Sequence, residues 1–139
     1  MPFVFDTESD GLLDEATKLH CLCVHDLTSG RDYSLVDYDA IRKFLLEVDV
    51  LIAHNCIRFD IPLLEKLLDI KITATIVDTL ILSWYLEPDR LQHGLEYWGD
   101  EFGIPKPFIA DWNNLSVDEY VHRCEEDVKI NTKLWKRFK

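Results

Sequence analysis

The chain is expected to fold as an α/β domain with a mixed central β-sheet flanked by helices. Three features carry that expectation. β-prone segments come first, at residues 2–6, 19–27 and 31–36. After them, short apolar runs alternate with stretches of helical periodicity, the order that builds a layered α/β sheet. And 47% of the 139 residues are apolar, enough to bury a core in a single domain of this length.

Each element has its own local reason. Residues 2–6 read as an apolar strand ending in Asp6. Thr28-Ser29-Gly30 is a hairpin-type turn between the second and third β-prone segments. A helix is expected over 38–47, with Ile41, Phe44, Leu45 and Val48 on one face. Val50-Leu51-Ile52-Ala53 reads as a buried strand. Asn55 is expected to cap a helix over 58–68 that turns Ile61, Leu64, Leu67 and Leu68 inward. Ile76-Val77 reads as a short strand, followed by a helix over 79–86 that Pro88 ends. Asp78 is suited to cap that helix. A further helix over 93–102 stops at Gly103. The stretch from Ile104 to Leu115, with two prolines and two asparagines, reads as a loop. Ser116 with Glu119 forms a capping box for a last helix over 117–138.

Charge narrows the function. The formal net charge is −11, opposite in sign to a protein that coats nucleic acid by neutralising phosphates. An acidic chain can still handle a nucleic-acid end if divalent cations sit between its carboxylates and the phosphates. Such a chain binds DNA weakly alone and needs a tether or partner to hold substrate nearby. No apolar run nears the ~20 residues of a membrane span. The N-terminus, Met1-Pro2-Phe3-Val4-Phe5-Asp6, lacks the basic region of a signal peptide, so a cytoplasmic location is expected. The four cysteines, Cys21, Cys23, Cys56 and Cys124, are then expected to be reduced thiols. His20-Cys21-Leu22-Cys23-Val24-His25 invites a zinc reading, but its C-x-C spacing lies in a β-prone run rather than in a C-x₂₋₄-C knuckle. Strand alternation puts Cys21, Cys23 and His25 on one face, and half-buried strand cysteines are the simpler reading.

The sharpest feature is the placement of four acids. Asp6 and Glu8 are two apart at the end of the first strand, so both carboxylates point to one side. Asp60 follows the buried strand, in Asn55-Cys56-Ile57-Arg58-Phe59-Asp60. Asp127 sits among the apolar positions Val121, Cys124, Val128, Leu134 and Trp135 of the last helix. An acid beside such a stripe is costly without a cation partner. Mg²⁺ or Mn²⁺, which prefer oxygen ligands, would supply one. Two such ions ~4 Å apart activate water and stabilise the leaving oxygen of a phosphodiester. With 26 acidic residues in the chain, an isolated Asp-x-Glu carries little weight.

Taken together these segments resemble the DnaQ-like, or DEDD, 3′→5′ exonucleases of the RNase H-like fold. Asp6-Thr7-Glu8-Ser9-Asp10-Gly11-Leu12 is similar to the first family motif, and His54-Asn55-x-x-x-Phe59-Asp60 to the second. Asp78-Thr79-Leu80, His93-Gly94-Leu95-Glu96 and Phe102-Gly103-Ile104 resemble the stretch before the third motif, which ends at Asp127. The motifs occur in the family's order over nearly the whole chain. His93-Gly94-Leu95-Glu96-Tyr97-Trp98-Gly99 most resembles the proofreading exonuclease domain of phage family A DNA polymerases. The resemblance implies one exonuclease domain over residues 1–139, in a host's cytoplasm if phage-encoded. No polymerase domain follows, so a stand-alone nuclease or an excised domain is expected.

The resemblance also implies roles. Asp6, Glu8, Asp60 and Asp127 would hold two Mg²⁺ or Mn²⁺ ions. Thr7 and Gly11 would approach the terminal nucleotide through their backbone, Leu12 would wedge against its base, and Phe59 would pack near the scissile end. The substrate implied is a single-stranded DNA 3′ end, released as nucleoside 5′-monophosphates, with a DNA polymerase as partner. An RNA 3′ exonuclease, or a non-catalytic module that binds nucleic acid or a polymerase, are the alternatives.

The general base divides the family. One branch has Tyr four residues before the last Asp; here that residue is Arg123. The other has His five before it; here that is His122. His122 therefore fits by count, and a neutral imidazole suits the task. On a continuous helix, however, five residues leave it about 140° from Asp127, so the helix must start late or kink for His122 to serve. Tyr120, seven residues before, regains the face but lies ~10 Å along the axis. The aromatics Trp84, Tyr85, Tyr97, Trp98, Trp112 and Trp135 could stack on bases, but at helical spacing they read as core.

Overall fold

The computed structural model describes residues 2–104 and 115–139. Its strands are β1 (Pro2–Ser9), β2 (Leu19–Asp26), β3 (Asp32–Leu35), β4 (Val50–Ala53) and β5 (Thr75–Asp78). Its helices are α1 (Tyr38–Glu47), α2 (Asp60–Leu68), α3 (Thr79–Leu86), α4 (Leu95–Phe102) and α5 (Val117–Phe138). The strands form one mixed sheet in the order β3-β2-β1-β4-β5. β1 pairs antiparallel with β2 and parallel with β4; β3 is antiparallel to β2, and β5 parallel to β4. The α/β mixed sheet with flanking helices expected from the sequence is the observed architecture. Most of the Ile104–Leu115 stretch, Trp112 included, lies outside the described residues.

Side-chain alternation divides the core between the two faces of the sheet. Phe5, Leu22, Val24, Leu51 and Ala53 pack with Ile41 and Leu45 of α1 and Leu64 and Leu68 of α2. Val4, Cys21, Cys23 and Ile52 face the other way, against Cys124 and Val128 of α5. Along α5, Ile130 and Leu134 continue the stripe onto Trp98 of α4. α5 begins at the capping box: the Ser116 hydroxyl accepts from the Glu119 N–H at 3.2 Å, and the Glu119 carboxylate accepts from the Ser116 N–H at 3.3 Å.

β2, β3 and β5 differ from the sequence expectation by a residue at their ends, and three further boundaries differ in ways that shape the site. β1 runs on to Ser9, because Asp6, Thr7 and Glu8 stay paired with Cys23, Leu22 and Cys21. α4 starts at Leu95, with Gly94 in extended conformation as its cap, leaving His93 outside the helix. α2 starts at Asp60, and Asn55 does not cap it. Asn55 takes a left-handed conformation, φ 60°, and its N–H donates to the Asp78 carboxylate at 2.8 Å. Asp78 also accepts from the Ile57 N–H at 3.2 Å and caps α3 through the Leu80 N–H at 2.9 Å. One carboxylate thus both starts α3 and holds the loop that leads to Asp60.

A buried polar chain ties the helices together. Thr79 donates to Asn131 of α5 at 2.7 Å and lies 2.9 Å from Nδ1 of His54. His54 Nε2 reaches the His93 carbonyl at 2.9 Å. The Trp98 indole N–H donates to Ser83 Oγ at 3.1 Å, and Ser83 lies 2.5 Å from His93 Nδ1. Partnered polar groups of this kind specify how elements meet, where apolar contact alone leaves them free to slide.

Candidate active site

The site forms because β1 outlasts its neighbour. β4 ends at Ala53, one residue beyond the Val4–Ile52 pair, while β1 continues through Asp6, Thr7 and Glu8. Space is left at the carboxyl ends of the parallel strands, where open α/β sheets take their ligands. Asp6 and Glu8 alternate with Phe5 and Thr7, so with Val4 they face α5. Asp127 meets them there from the helix. The three residues each offer a carboxylate oxygen, and these atoms all lie within 4.8 Å of one another. Asp60, the first residue of α2, joins from the other side of β1: the Thr7 hydroxyl donates to its Oδ1 at 2.7 Å.

Electrostatics show what such crowding costs. Burial lifts the Asp6 carboxyl well above the usual carboxylate range, and the charges of Asp127, Asp60 and Glu8 lift it further, as does a hydrogen bond with the Asp127 side chain. Asp60 is pushed up to about 7, chiefly by burial, with Glu8, Asp78 and Asp127 adding and the Thr7 hydrogen bond opposing. Acids so placed favour a proton or another cation. A donor set made of carboxylate oxygens suits hard divalent ions such as Mg²⁺ or Mn²⁺.

The remaining expected residues fall as follows. Gly11 is half-buried beyond the end of β1, and the Leu12 side chain is 72% exposed, free to meet a ligand rather than buried in the core. Phe59 is half-buried and immediately precedes Asp60. Thr7 also makes a contact that the sequence did not announce: its side chain, and not its backbone alone, faces Asp60. His122 is not brought to the carboxylates. α5 is already helical from Val117, so the late start or kink that His122 needs is missing. Its side chain is exposed and lines a groove with His25, Ser34 and Glu125 on the β3 side of α5. Tyr120 stacks on His20, with ring centroids 4.0 Å apart.

Arg123 is the residue that sequence reasoning passed over. It precedes Asp127 by four positions, nearly aligned on the helix, and its Nε lies 3.4 Å from Glu8 Oε1. The test that dismissed a tyrosine at this position held the clue: whatever stands there faces the carboxylates.

No family model matches the chain. Among relatives, the DNA-directed DNA polymerase of Enterobacteria phage T3 is 29% identical over 139 residues, covering 78% of this chain and 20% of that protein. A PolC-type DNA polymerase III of Mycoplasma genitalium is 33% identical over 105 residues, covering 73% of this chain and 6% of that protein. The chain thus spans about a fifth or less of the curated relatives it matches. Among solved structures, Brucella melitensis NrnC with bound Mg²⁺ superimposes with a TM-score of 0.67 at 19% identity, covering 98% of this chain and 72% of that one. The fold is one that solved nucleases share, a mixed sheet with flanking helices, and in sequence the chain resembles the DnaQ-like, or DEDD, exonucleases. Its sequence is similar to part of the DNA-directed DNA polymerases of phages T7 and T3 and to part of the PolC-type DNA polymerase III of Mycoplasma genitalium.

Proposed function

We propose that the chain is a metal-dependent 3′→5′ exonuclease that hydrolyses the terminal phosphodiester of a DNA strand and releases nucleoside 5′-monophosphates. The observation that carries this reading is the convergence of Asp6, Glu8 and Asp127 within 4.8 Å, with Asp60 tied to the same strand through Thr7. Similarity to phage and PolC-type DNA polymerases favours DNA and a proofreading role beside a polymerase.

Asp6, Glu8, Asp60 and Asp127 would hold two Mg²⁺ or Mn²⁺ ions, which when bound activate a water and stabilise the leaving 3′ oxygen. The chain's own residues do the rest. Thr7 fixes the Asp60 carboxylate in one orientation. Arg123 neutralises part of the cluster's charge through Glu8. The backbone of Thr7 and Gly11 borders the terminal nucleotide, exposed Leu12 wedges against its base, and Phe59 packs near the scissile end.

A short RNA strand is the second reading. NrnC, which shares the fold, has been solved bound to pGG. Telling RNA from DNA requires a contact to the sugar 2′ position. The test is 5′-labelled single-stranded DNA and RNA incubated with Mg²⁺ or Mn²⁺, with chelator, and with the Asp6→Ala variant. Products shortened stepwise from the 3′ end, lost with chelator and with Asp6→Ala, are expected on DNA. Shortening of RNA alone would replace the substrate; no shortening under any metal condition would remove the enzymatic reading.

A further inference from the structure

Behind the carboxylates lies a second cluster that the nuclease chemistry does not use. In the β1–β2 register Cys21 stands opposite Glu8 and Cys23 opposite Asp6. Paired residues project to one side of a sheet, so both thiols face α5 with the acids. Cys124, three residues before Asp127, comes down onto them. The three Sγ atoms lie within 4.8 Å of one another, and none of the three residues is more than 1% exposed.

Buried cysteines often serve as small apolar side chains, and Cys56 fits that description. It sits on the opposite face of the sheet, with its thiol against the Ala53 and Val77 carbonyls at 3.7 and 3.9 Å. Cys21, Cys23 and Cys124 differ because their sulfurs converge from two elements about 100 residues apart. Oxygen atoms flank two of the three: Cys124 Sγ is 3.1 Å from the Asp6 carbonyl, and Cys23 Sγ is 3.5 Å from Ser34 Oγ. Thiolates bound to one tetrahedral Zn²⁺ at ~2.3 Å stand about 3.8 Å apart, so the sulfurs need only a small contraction to share an ion.

We propose that Cys21, Cys23 and Cys124 form a site for one soft, thiophilic metal ion of the Zn²⁺ class, separate from the carboxylate site. Each thiol loses its proton to solvent as its sulfur–metal bond forms, and the Asp6 carbonyl oxygen, 3.1 Å from Cys124 Sγ, is the candidate for a fourth position. Entry is by way of a groove of about 450 Å³ between β2, β3 and α5, lined by Cys23, Ser34, His122, Glu125 and Glu126. The exposed Ser34 hydroxyl rests on the Cys23 thiol at the floor of that groove. The two neighbouring sites would sort metals by softness: hard ions to the carboxylates, soft ions to the thiolates. A filled thiolate site would pin α5 to β2 directly behind Asp6 and Asp127. None of this rests on the exonuclease reading.

The test is titration of the reduced, metal-free chain with Cd²⁺, whose thiolate complexes absorb in the ultraviolet by sulfur-to-metal charge transfer. The expected result is a band that saturates at one equivalent, with proton release, in a large excess of Mg²⁺. Cys56→Ser keeps the band; Cys21→Ser and Cys124→Ser weaken binding at least tenfold. Melting of the wild-type chain gives a readout independent of how the variants fold, and its midpoint rises with Cd²⁺. Absence of the band in the folded wild type overturns the proposal, as does a band that Cys56→Ser removes and Cys21→Ser leaves intact.

Discussion

The hydroxyl of Thr7 donates to Oδ1 of Asp60 at 2.7 Å, joining two residues that lie 53 positions apart in the chain. This bond ties an acid at the start of α2 to the strand that carries Asp6 and Glu8 on its opposite face. Thr7→Val removes the donor and leaves a buried carboxylate oxygen without it, at a cost of ~1–3 kcal/mol. It also removes an influence that lowers Asp60, so that acid titrates further above about 7. The expected outcome, at sub-saturating Mn²⁺, is roughly a tenfold loss of nuclease rate near neutral pH, partly regained in alkaline buffer, because protons then compete less with the ion for Asp60. A pH–rate profile that keeps its shape would argue against this role.

Without metal, stability should fall as pH rises. Asp6 and Asp60 are both raised above their unfolded values, Asp60 from 3.8 to about 7. Between those limits the folded chain binds more protons than the unfolded one, so unfolding free energy decreases with pH. Melting in chelator should therefore give a higher midpoint at pH 5 than at pH 8. Added Mn²⁺ should reverse the order, since it replaces the protons only where the carboxylates are ionised.

Neutralising one acid should separate stability from activity. Asp6→Asn removes a buried charge that Asp127, Asp60 and Glu8 all oppose. Its midpoint in chelator at pH 8 should exceed that of the wild type. Its stabilisation by Mn²⁺ should largely vanish, and nuclease rate should drop by at least ~100-fold because a metal-holding carboxylate is gone. A variant less stable than wild type in chelator would show that repulsion is not what dominates there.

His122 and Arg123 make opposite predictions from adjacent positions. A general base contributes ~10²–10⁴ in rate. His122, exposed on the groove side of α5, should cost no more than about threefold when changed to Ala. Arg123→Ala removes the guanidinium 3.4 Å from Glu8 and should cost about tenfold or more, consistent with loss of a charge-assisted contact. Single-turnover rates of the two variants decide between them.

Two glycines should respond differently to the same methyl group. A Cβ on Gly99 would stand 2.6 Å from the Ile104 carbonyl oxygen and 2.7 Å from Ile130 Cδ1, so Gly99→Ala should cost ~1–3 kcal/mol in denaturant melts. A Cβ on Gly11 meets nothing closer than 3.7 Å. Gly11→Ala should fold like the wild type, and any loss of activity would then report on the approach of substrate.

What the sequence made legible follows physical range. The Ser116–Glu119 capping box and the apolar stripe of α5 are local, and both appear where the sequence places them. The strand-to-helix alternation gave the layered sheet for the same reason. β1 runs beyond its apolar residues because its polar end pairs with β2, a long-range contact that local pattern does not carry. Asn55 does not cap α2 because Asp78, 23 residues on, holds its N–H and the residue takes a left-handed backbone, φ 60°, where an N-cap is extended. For His122, counting from Asp127 competed with helical phase, and phase prevailed. The convergence of Cys124 on Cys21 and Cys23 depends on how a helix crosses a sheet, which no spacing encodes.

The polar chain beneath α3 and α4 also has a direction. A carbonyl oxygen only accepts, so the His93 Nε2 that lies 3.2 Å from the Arg90 carbonyl carries the hydrogen of that bond. Neutral His93 then offers Nδ1 as a lone pair to the Ser83 hydroxyl, which in turn takes the indole hydrogen of Trp98. Every hydrogen bond from Trp98 through Ser83 and His93 to Arg90 then points the same way, and the Arg90 carbonyl at one end and the Trp98 indole at the other agree on a single tautomer of His93. Ser83→Ala would strip both neighbours of their partner at once, although it removes a single oxygen atom.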